Sequence, residues 1–327
     1  MTALVTGGAG YIGSHMAHEL VDRGEKVVVV DNLATGFRSA VPAAAEFVEA
    51  DVGDEAAMLA VMQKHGVDTV LHFAASIVVP DSVTDPLGYY LNNTVKTRSL
   101  ASAAVRAGVR QFVFSSTAAV YGTPATETVA ETDPTNPESP YGASKLMSER
   151  ILTDAAAAHG FSLAVLRYVN VAGADPEGRT GQSTERATHL IKVCVRAALG
   201  LRDNVDIFGT DYPTRDGTGV RDYIHVTDLV DAHARALDEL RARPGRLLVN
   251  CGYGAGYSVR EVIDAVKRVS RVDFKVREQA RRPGDPAMIV ARADQVRSSL
   301  GWKPQYDDLD TIVAHALAWE KRVSASA

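Results

Sequence analysis

Residues 3–13, ALVTGGAGYIG, join a short apolar run to three spaced glycines. The apolar run is typical of a buried strand, and Ile12, Met16 and Leu20 then recur at the four-residue spacing of an amphipathic helix. A second apolar run, VVVV at residues 27–30, follows that helix. A strand, a glycine turn, a helix and a strand within about thirty residues have the size of one βαβ unit. The stretch therefore predicts two parallel strands joined by a helix.

The glycines stand at Gly7, Gly10 and Gly13, between the predicted strand and the predicted helix. Residues without a Cβ let a pyrophosphate reach the helix N-terminus, where free N–H groups and the helix dipole favour an anion. Asp31 ends the second strand, where its carboxylate can accept hydrogen bonds from the ribose hydroxyls of an adenosine. Because that charge would repel a 2′-phosphate, the pattern favours NAD over NADP. The competing interpretation is a plain tight turn.

The alternation of strand and helix patterns continues to about residue 167. The predicted strands cover residues 46–50, 68–73, 110–115 and 162–167, and the predicted helices cover 54–65, 87–107 and 141–159. Strands separated by helices form a doubly wound parallel sheet, the Rossmann type of α/β fold, in which ligands bind at the carboxyl ends of strands. The residues expected at such ends are Gly7, Asp31, Asp51, Ala74 and Thr117.

The second half of the chain has a more mixed pattern. Residues 173–181 are loop-like, and the predicted elements are helices at 184–199, 227–241, 258–269 and 309–322 and a strand at 247–250. We expect a Rossmann domain over residues 1–172 and a smaller mixed α/β lobe mainly over 173–327. The chain is expected to cross back between these two parts.

Composition excludes several classes of function. The 327 residues carry a formal net charge of −5, with 46% hydrophobic and 23% charged residues, which is ordinary for a soluble globular protein. The sequence has neither the basic stripe of a nucleic-acid-binding protein nor the apolar run of about 20 residues that spans a membrane. Cys194 and Cys251 belong to no metal-spaced set, so we expect two reduced thiols, no metal site and a cytoplasmic location.

Tyr141 and Lys145 stand four residues apart in a predicted helix, and therefore on one helix face. A phenol has an ordinary pKa near 10. A neighbouring ammonium lowers it, so the pair can transfer a proton to or from a reactive group in front of it. Thr117, at the end of a central strand, is a further candidate. Taken alone, the pair is also a common helix-surface pattern, and Thr117 is also a common capping residue.

Several stretches together resemble the extended short-chain dehydrogenase/reductase family, over nearly the whole chain. The general motifs are GGAGYIG at 7–13, SST at 115–117 and YGASK at 141–145. Two further stretches, DYP at 211–213 and RDYIHV at 221–226, narrow the resemblance to the nucleotide-sugar epimerase branch of that family. The resemblance implies an NAD-binding Rossmann domain followed by a lobe that binds a UDP-sugar.

The resemblance also implies a reaction, the interconversion of UDP-galactose and UDP-glucose. NAD takes a hydride from C4 of the hexose, the bound 4-keto sugar rotates, and the hydride returns to its other face. Tyr141 is implied as the base, and Lys145 as the residue that holds the nicotinamide ribose and lowers the pKa of the phenol. Thr117 would bridge the sugar hydroxyl and the phenol. A homodimer is implied as well.

Alternatives on the same scaffold stay open. A related epimerase or decarboxylase would act on a UDP-pentose or a UDP-uronate. A dehydratase is disfavoured because Ala118 and Ala119 follow Thr117, where such enzymes carry acidic residues. A non-catalytic NAD-sensing protein is disfavoured because Tyr141 and Lys145 are both present.

The ligand contacts of the family map onto individual positions of this chain. The implied NAD contacts are Gly7, Gly10, Tyr11, Ile12, Gly13, Asp31, Asn32, Leu33, Asp51, Val52, Phe73, Ala74, Ala75, Asn92, Ser115, Tyr141, Lys145 and Tyr168. The implied UDP-sugar contacts are Thr117, Asn170, His189, Leu190, Phe208, Arg221, Arg282 and Asp285. The two arginines suit a diphosphate, because guanidinium groups pair bidentately with phosphate oxygens.

Ile77 departs from the family pattern. Many relatives carry a lysine here that contacts the cofactor, and the neighbouring Val79, Pro80 and Asp81 differ as well. With one cation fewer near the pyrophosphate, we expect weaker retention of NAD. Ile289 occupies the position that governs acceptance of N-acetylated sugars in the family, and its size leaves that specificity open.

Overall fold

The computed structural model describes residues 1–124, 126–184, 188–282 and 285–325. The strands are β1 (Thr2–Thr6), β2 (Lys26–Asp31), β3 (Glu46–Glu49), β4 (Thr69–His72), β5 (Gln111–Ser115), β6 (Thr128–Val129), β7 (Ser162–Tyr168), β8 (Asn170–Ala172), β9 (Val205–Phe208), β10 (Val220–His225), β11 (Arg246–Cys251), β12 (Gly256–Ser258), β13 (Val276–Gln279) and β14 (Met288–Ala291). The helices are α1 (Tyr11–Asp22), α2 (Glu55–His65), α3 (Val79–Thr84), α4 (Pro86–Tyr89), α5 (Lys96–Ala107), α6 (Pro140–His159), α7 (Leu190–Ala198), α8 (Val226–Ala242), α9 (Val259–Ser270), α10 (Asp294–Leu300) and α11 (Leu309–Ala325).

β1 lies inside a seven-stranded sheet in which all neighbouring strands run parallel. The order of the strands is β11-β7-β5-β4-β1-β2-β3. Residues 3–5 of β1 are fully buried, which is why this strand reads as an unbroken apolar run instead of an alternating one. The predicted doubly wound parallel sheet is therefore confirmed.

Apolar side chains cover both faces of this sheet. Ala3 and Val5 of β1 join one buried cluster and Leu4 joins another, because successive side chains of a strand point to opposite faces. Met16 of α1 belongs to the first cluster, and Met58 of α2 belongs to the second. The helical layers thus close both faces and leave the loops at the strand ends as the place where a ligand can approach.

Segments from the second half of the chain form smaller sheets, together with β6 from the first half. β12, β10, β14 and β6 pair in that order, β8 pairs with β10, and β9 pairs with β13. β11 instead returns to the large sheet and pairs with β7. This return is a crossing of the kind that the sequence predicts, while the domain boundary at residue 172 stays a prediction.

The predicted helix over residues 87–107 is interrupted. α4 and α5 are joined by a π-helical stretch over Tyr90–Val95. The carbonyl of Asn93 accepts hydrogen bonds from Thr97 Oγ1 at 2.6 Å and from Ser148 Oγ at 2.8 Å. These side-chain donors compete for a carbonyl that a regular α-helix would use, which the sequence pattern does not reveal.

Three smaller differences separate the expected helices from the observed ones. α7 begins at Leu190, and residues 185–187 of the helix predicted from residue 184 lie outside the described part of the chain. α3 and α10, with 6 and 7 residues, are absent from the sequence prediction because such short segments carry too little periodicity.

Within the described ranges, no helix combines the length and apolar character needed to cross a membrane.

Candidate active site

Gly7 and Gly13 form a backbone cradle at the carboxyl end of β1. Gly7 has a φ of +67°, and a Cβ there would lie 2.6 Å from the backbone nitrogen of Ala74. A Cβ on Gly13 would overlap the carbonyl oxygen of Gly7. No side chain tolerates either approach, so both positions require glycine. Both glycines thus allow the tight turn at which a phosphate group approaches the backbone in a βαβ unit.

The N-terminus of α1 directly follows this cradle. Gly10 is its N-cap residue, and no side chain caps the first turn. The first turn also contains no acidic residue. Uncapped N–H groups and the positive end of the helix dipole attract an anion. The loop therefore fits the pyrophosphate of NAD, which the three glycines would hold.

Asp31 lies at the end of β2, beside the same loop. Its Oδ2 accepts a hydrogen bond from the N–H of Ala9 at 3.0 Å, and its Oδ1 accepts one from the N–H of Leu33 at 2.8 Å. Leu33 has a φ of +57°, which turns the chain after the strand, and Asn32 Oδ1 accepts from the N–H of Ala34 at 3.1 Å. The carboxylate is thereby fixed, and each oxygen keeps a lone pair for a ribose hydroxyl.

Asp51 follows β3 and forms an ion pair that the sequence does not predict. Lys96 Nζ lies 2.5 Å from Asp51 Oδ2, and the N–H of Gly53 donates to Oδ1 at 2.7 Å. Burial alone would raise the pKa of Asp51, but the two donors outweigh it and hold the pKa below its usual range. Asp51 is therefore charged at neutral pH. The roles of Asp51 and Val52 as NAD contacts stay predictions.

Two asparagines of the π-helical stretch hold the loop after β4. Asn93 Oδ1 accepts from the N–H of Ser76 at 2.8 Å, and Asn93 Nδ2 donates to the Ser76 carbonyl at 2.9 Å and to Ser144 Oγ at 3.0 Å. Asn92 Nδ2 donates to Ser76 Oγ at 2.9 Å. Residues 73–75, Phe-Ala-Ala, directly precede this anchor. Asn93, which sequence analysis missed, thus ties the predicted cofactor loop to α6.

Two tyrosines that are predicted NAD contacts are anchored by their hydroxyl groups. Tyr11 donates to the carbonyl of Gly173 at 2.7 Å, which joins the glycine loop to the chain beyond β8. The hydroxyls of Tyr168 and Ser115 lie 2.6 Å apart. Burial raises the pKa of both phenols above the usual value, so both stay neutral. Their hydroxyls therefore orient the rings and carry no charge.

α6 carries Tyr141 and Lys145 and begins beside Thr117. A Cβ on Gly142 would lie 2.7 Å from the carbonyl oxygen of Ala119. Glycine thus lets the first turn of α6 pack directly on the 3₁₀ turn that Thr117 caps, where Thr117 Oγ1 accepts from the N–H of Ala119 at 3.1 Å. Tyr141, Lys145 and Thr117 are 8%, 4% and 8% exposed. Tyr141 and Lys145 on α6 therefore lie beside the turn that carries Thr117, so the structure places the three predicted catalytic residues close together.

Burial dominates the ionisation of this pair. Burial raises the pKa of Tyr141 to about 12, against the opposing effect of the Thr117 hydroxyl. The predicted lowering of that pKa by Lys145 stays a prediction. Burial also lowers the pKa of Lys145 to about 7, against the attraction of the Glu149 carboxylate. Lys145 Nζ lies 4.5 Å from the centre of the Phe114 ring. Burial therefore favours the neutral form of Tyr141 and leaves Lys145 divided between its neutral and charged forms near pH 7.

Phe208, Arg282 and Asp285 form a cluster at the end of β9. The guanidinium carbon of Arg282 lies 4.3 Å from the centre of the Phe208 ring, and Arg282 Nε donates to Asp285 at 3.0 Å. Arg221 Nη2 donates to the carbonyl of Pro286 at 2.8 Å. The structure thus gathers four of the predicted UDP-sugar contacts, with two guanidinium groups near one segment of chain. Such groups can bind a diphosphate.

The remaining predicted substrate contacts lie on two other elements. Asn170 begins β8, which pairs with β10. His189 and Leu190 stand at the start of α7, and His189 Nδ1 lies 2.8 Å from Gln182 Nε2. Burial lowers the pKa of His189, so its ring is neutral at pH 7. Residues 283 and 284, between Arg282 and Asp285, lie outside the described residues.

Glu149 and Arg167 form a buried ion pair that sequence analysis missed. Arg167 Nη2 lies 2.7 Å from Glu149 Oε2, and each side chain is less than a tenth exposed. Glu149 follows Lys145 by four residues, as Lys145 follows Tyr141. That repeated spacing is the signal that could have indicated a third polar group on the same helix face.

The chain matches known proteins over nearly its whole length. Residues 3–252 match the profile of the NAD dependent epimerase/dehydratase family. A UDP-glucose 4-epimerase of Azospirillum brasilense is 56% identical, over 99% of this chain and 93% of its own. The chain therefore belongs to the NAD dependent epimerase/dehydratase family, which confirms the resemblance seen in its motifs.

Two solved structures share the fold. A UDP-glucose 4-epimerase from Stenotrophomonas maltophila, with bound NAD and formylated UDP-arabinopyranose, has a TM-score of 0.96 and 41% identity over 100% of both chains. A UDP-glucose 4-epimerase from Brucella ovis in complex with NAD has a TM-score of 0.94 and 43% identity over 97% of each chain. At this identity the likeness covers sequence as well as fold.

Gly7→Ala is expected to weaken NAD binding by at least about tenfold, because the new Cβ meets the backbone of Ala74 and closes the cradle. Isothermal titration of cofactor-depleted protein with NAD measures the affinity. Gly24→Ala is the matched control, since Gly24 has a φ of +75° with nothing within 4 Å of an added Cβ. Gly24→Ala places an alanine at a positive φ without a steric clash, and it should leave the affinity for NAD unchanged. Equal NAD affinities for the two variants would contradict the cradle.

Proposed function

We propose that the chain is an NAD-dependent 4-epimerase that interconverts UDP-galactose and UDP-glucose. The observation that carries the proposal is a phosphate cradle at Gly7 and Gly13 and a proton-transfer group at Tyr141, at the same edge of one parallel sheet. A redox cofactor and a proton acceptor beside one substrate carbon are what reversible oxidation of an alcohol requires. Membership of the family supports the same activity.

Tyr141 is assigned the proton transfer. When bound, NAD⁺ supplies a hydride acceptor and a positive charge that favours the phenolate form of Tyr141 against the effect of burial. Tyr141 then takes the proton of the sugar 4-hydroxyl while Thr117 holds the same oxygen, and Lys145 donates to the nicotinamide ribose. Because the hydride taken from C4 would return to the same carbon, and the proton would return through Tyr141, epimerisation is redox neutral and needs no second substrate.

The segments that carry Arg221 and Arg282 are assigned to the UDP group. Planar guanidinium groups bind phosphate oxygens bidentately. Arg282 is already oriented by the ring of Phe208 and the carboxylate of Asp285. Firm binding of UDP with a weakly held hexose lets the 4-keto ring turn over without leaving the protein.

These assignments divide the chain into two ligand-binding parts. Residues 1–172 supply the NAD side and residues 173–327 mainly supply the UDP-sugar side, with β11 crossing back to the large sheet. Cys194 and Cys251 are both free and buried. Free thiols suit a reducing compartment, and on that basis we place the protein in the cytoplasm.

Two copies of the chain are proposed to associate through one apolar surface. We define this helical apolar surface by the exposed side chains of Val79, Val83, Leu87, Leu91, Val95 and Met147. Leu87, Leu91 and Val95 follow one another at four-residue steps and are 79%, 56% and 50% exposed. A run of exposed apolar residues on one helix face marks an interaction site, and a second copy supplies the self-complementary partner of a two-fold interface.

Purified protein given NAD and UDP-galactose, without a reductant, is expected to form UDP-glucose. Tyr141→Phe should lower kcat by at least about 100-fold, because the proton acceptor is lost, while NAD stays bound. Chromatography of the nucleotide sugars measures turnover, and the released NAD measures cofactor content.

No UDP-glucose from the wild-type protein would overturn the proposed activity. Full activity of Tyr141→Phe would overturn only the role of the phenol. Faster turnover of a UDP-pentose or a UDP-uronate than of UDP-galactose would favour the alternative substrate classes.

Ile77→Lys is expected to raise the amount of NAD that survives prolonged dialysis, because a cation near the pyrophosphate slows its release. The Ile77 side chain is 51% exposed, so a lysine fits without repacking. Val272→Lys replaces another exposed apolar residue, at 40% exposure, and controls for the added charge. Wild-type protein that keeps one NAD per chain through dialysis would count against the expectation.

Leu91→Glu combined with Val95→Glu is expected to convert a dimer into a monomer, because carboxylates in an apolar interface lose their hydration. Light scattering after size-exclusion chromatography gives the mass. Leu201→Glu, at a leucine 43% exposed outside the helical apolar surface, should keep the dimer. A wild-type monomer at micromolar concentration would rule the interface out.

A further inference from the structure

Helix α6 presents a third polar residue one turn beyond the proton-transfer pair. Tyr141, Lys145 and Glu149 recur at four-residue steps, and all three are buried. A buried carboxylate is costly to desolvate unless it is paired and fully hydrogen-bonded. The proposed function gives Glu149 no task, although it shares a helix face with the residues that carry the chemistry.

Glu149 accepts hydrogen bonds from β7 and from the residue that follows β5, both in the large sheet region. Arg167 of β7 donates from Nε to Oε1 at 3.0 Å and from Nη2 to Oε2 at 2.7 Å. Ser116, which follows β5, donates its hydroxyl proton to Oε1. Three converging donors fix the carboxylate. Since Ser116 directly precedes Thr117, Glu149 also fixes the chain at one side of the Thr117 hydroxyl.

The other side of Thr117 is tied to the same ion pair. Arg167 Nη1 donates to the hydroxyl of Tyr121 at 3.0 Å, and that hydroxyl donates to Asn250 Oδ1 at 2.7 Å. Tyr121 ends the 3₁₀ turn that Thr117 caps. One bidentate ion pair therefore holds the turn at both ends, at Ser116 and at Tyr121.

Glu149 is also the carboxylate that acts on Lys145. The groups around Lys145 are Tyr141 and Glu149 from α6, His72 from β4 and Phe114 from β5. His72 is neutral, because burial and the Lys145 charge lower its pKa to about 3. Tyr141 is neutral until its proton leaves, and Phe114 presents a ring. Glu149, which is itself paired with Arg167, is thus the carboxylate whose charge opposes the effect of burial on Lys145.

We propose that Glu149 is a positioning residue of the active site, an inference that rests on the proposed function. Through Ser116 and Arg167, its carboxylate sets the Thr117 turn against α6, and its charge favours the protonated form of Lys145 against the effect of burial. Glu149 acts on the reaction only through Thr117 and Lys145, and not by contact with the reacting atoms.

The titration of Lys145 tests the charge effect without turnover. Side-chain ¹⁵N NMR gives its pKa, and loss of the signal in Lys145→Met assigns it. Glu149→Gln should lower that pKa by about one unit or more, and Glu149→Asp should keep it near the wild-type value. Glu25→Gln, which breaks another bidentate pair, with Arg241, should leave it unchanged. An unchanged Lys145 pKa in Glu149→Gln would overturn the charge effect.

Kinetics test the positioning effect. Glu149→Asp keeps the charge but shortens its reach, and Ser116→Ala removes one donor. Each should lower kcat about tenfold, with KM for UDP-galactose within about twofold and the alkaline limb of the kcat–pH profile in place. Glu149→Gln should move that limb to lower pH, because a lysine with a lowered pKa loses its proton earlier. Unchanged kcat in Glu149→Asp and Ser116→Ala would overturn the positioning effect.

Two further outcomes are distinguishable. If circular dichroism shows that Glu149→Gln does not fold, Glu149→Asp and Ser116→Ala both keep a carboxylate on α6 and still decide the proposal through kcat. If the wild-type protein has no epimerase activity, the proposed function fails. The NMR titration of Lys145 then still supports or refutes the effect of Glu149.

Discussion

The backbone of Gly7 approaches the backbone of Ala74 so closely that no Cβ fits between the ends of β1 and β4. Such an approach occurs at the carboxyl edge of a parallel sheet, where the loops that follow neighbouring strands lie close together. It fixes the start of α1, and with it the N–H groups that would hold a pyrophosphate. Thr117 and Tyr168 reach the same edge for the same reason, because β5 and β7 run parallel to β1.

Proton chemistry at this edge is governed by burial more than by the spacing of Tyr141 and Lys145. Burial raises the pKa of Tyr141 to about 12 and lowers that of Lys145 to about 7. Since a nearby positive charge lowers the pKa of a phenol, we propose that proton transfer by Tyr141 is coupled to binding of the positively charged cofactor. We propose that Glu149 opposes the effect of burial on Lys145, and so acts on one member of the pair.

Local patterns in the sequence predict most of the fold, because the central strands of a sheet buried on both faces are unbroken apolar runs. The apolar runs at 3–5 and 27–30 predict β1 and β2 correctly, and the glycine spacing predicts the cradle between them. The π-helical stretch depends on Ser148, a donor from a distant helix, and is invisible in local sequence. The raised pKa of Tyr141 is invisible for a similar reason, since a four-residue spacing does not state how deeply a side chain is buried.

The two halves of the candidate site differ in how firmly their polar groups are held. Asp31, Asn93 and Glu149 are each buried and fixed by at least two hydrogen bonds. The Arg282 side chain is instead 45% exposed and pairs with a residue three positions later. A hexose that must turn over between two hydride transfers cannot be held by a rigid polar shell, whereas the hydride acceptor and the proton acceptor must keep their places. The fixed half is therefore the one that we assign to hydride and proton transfer.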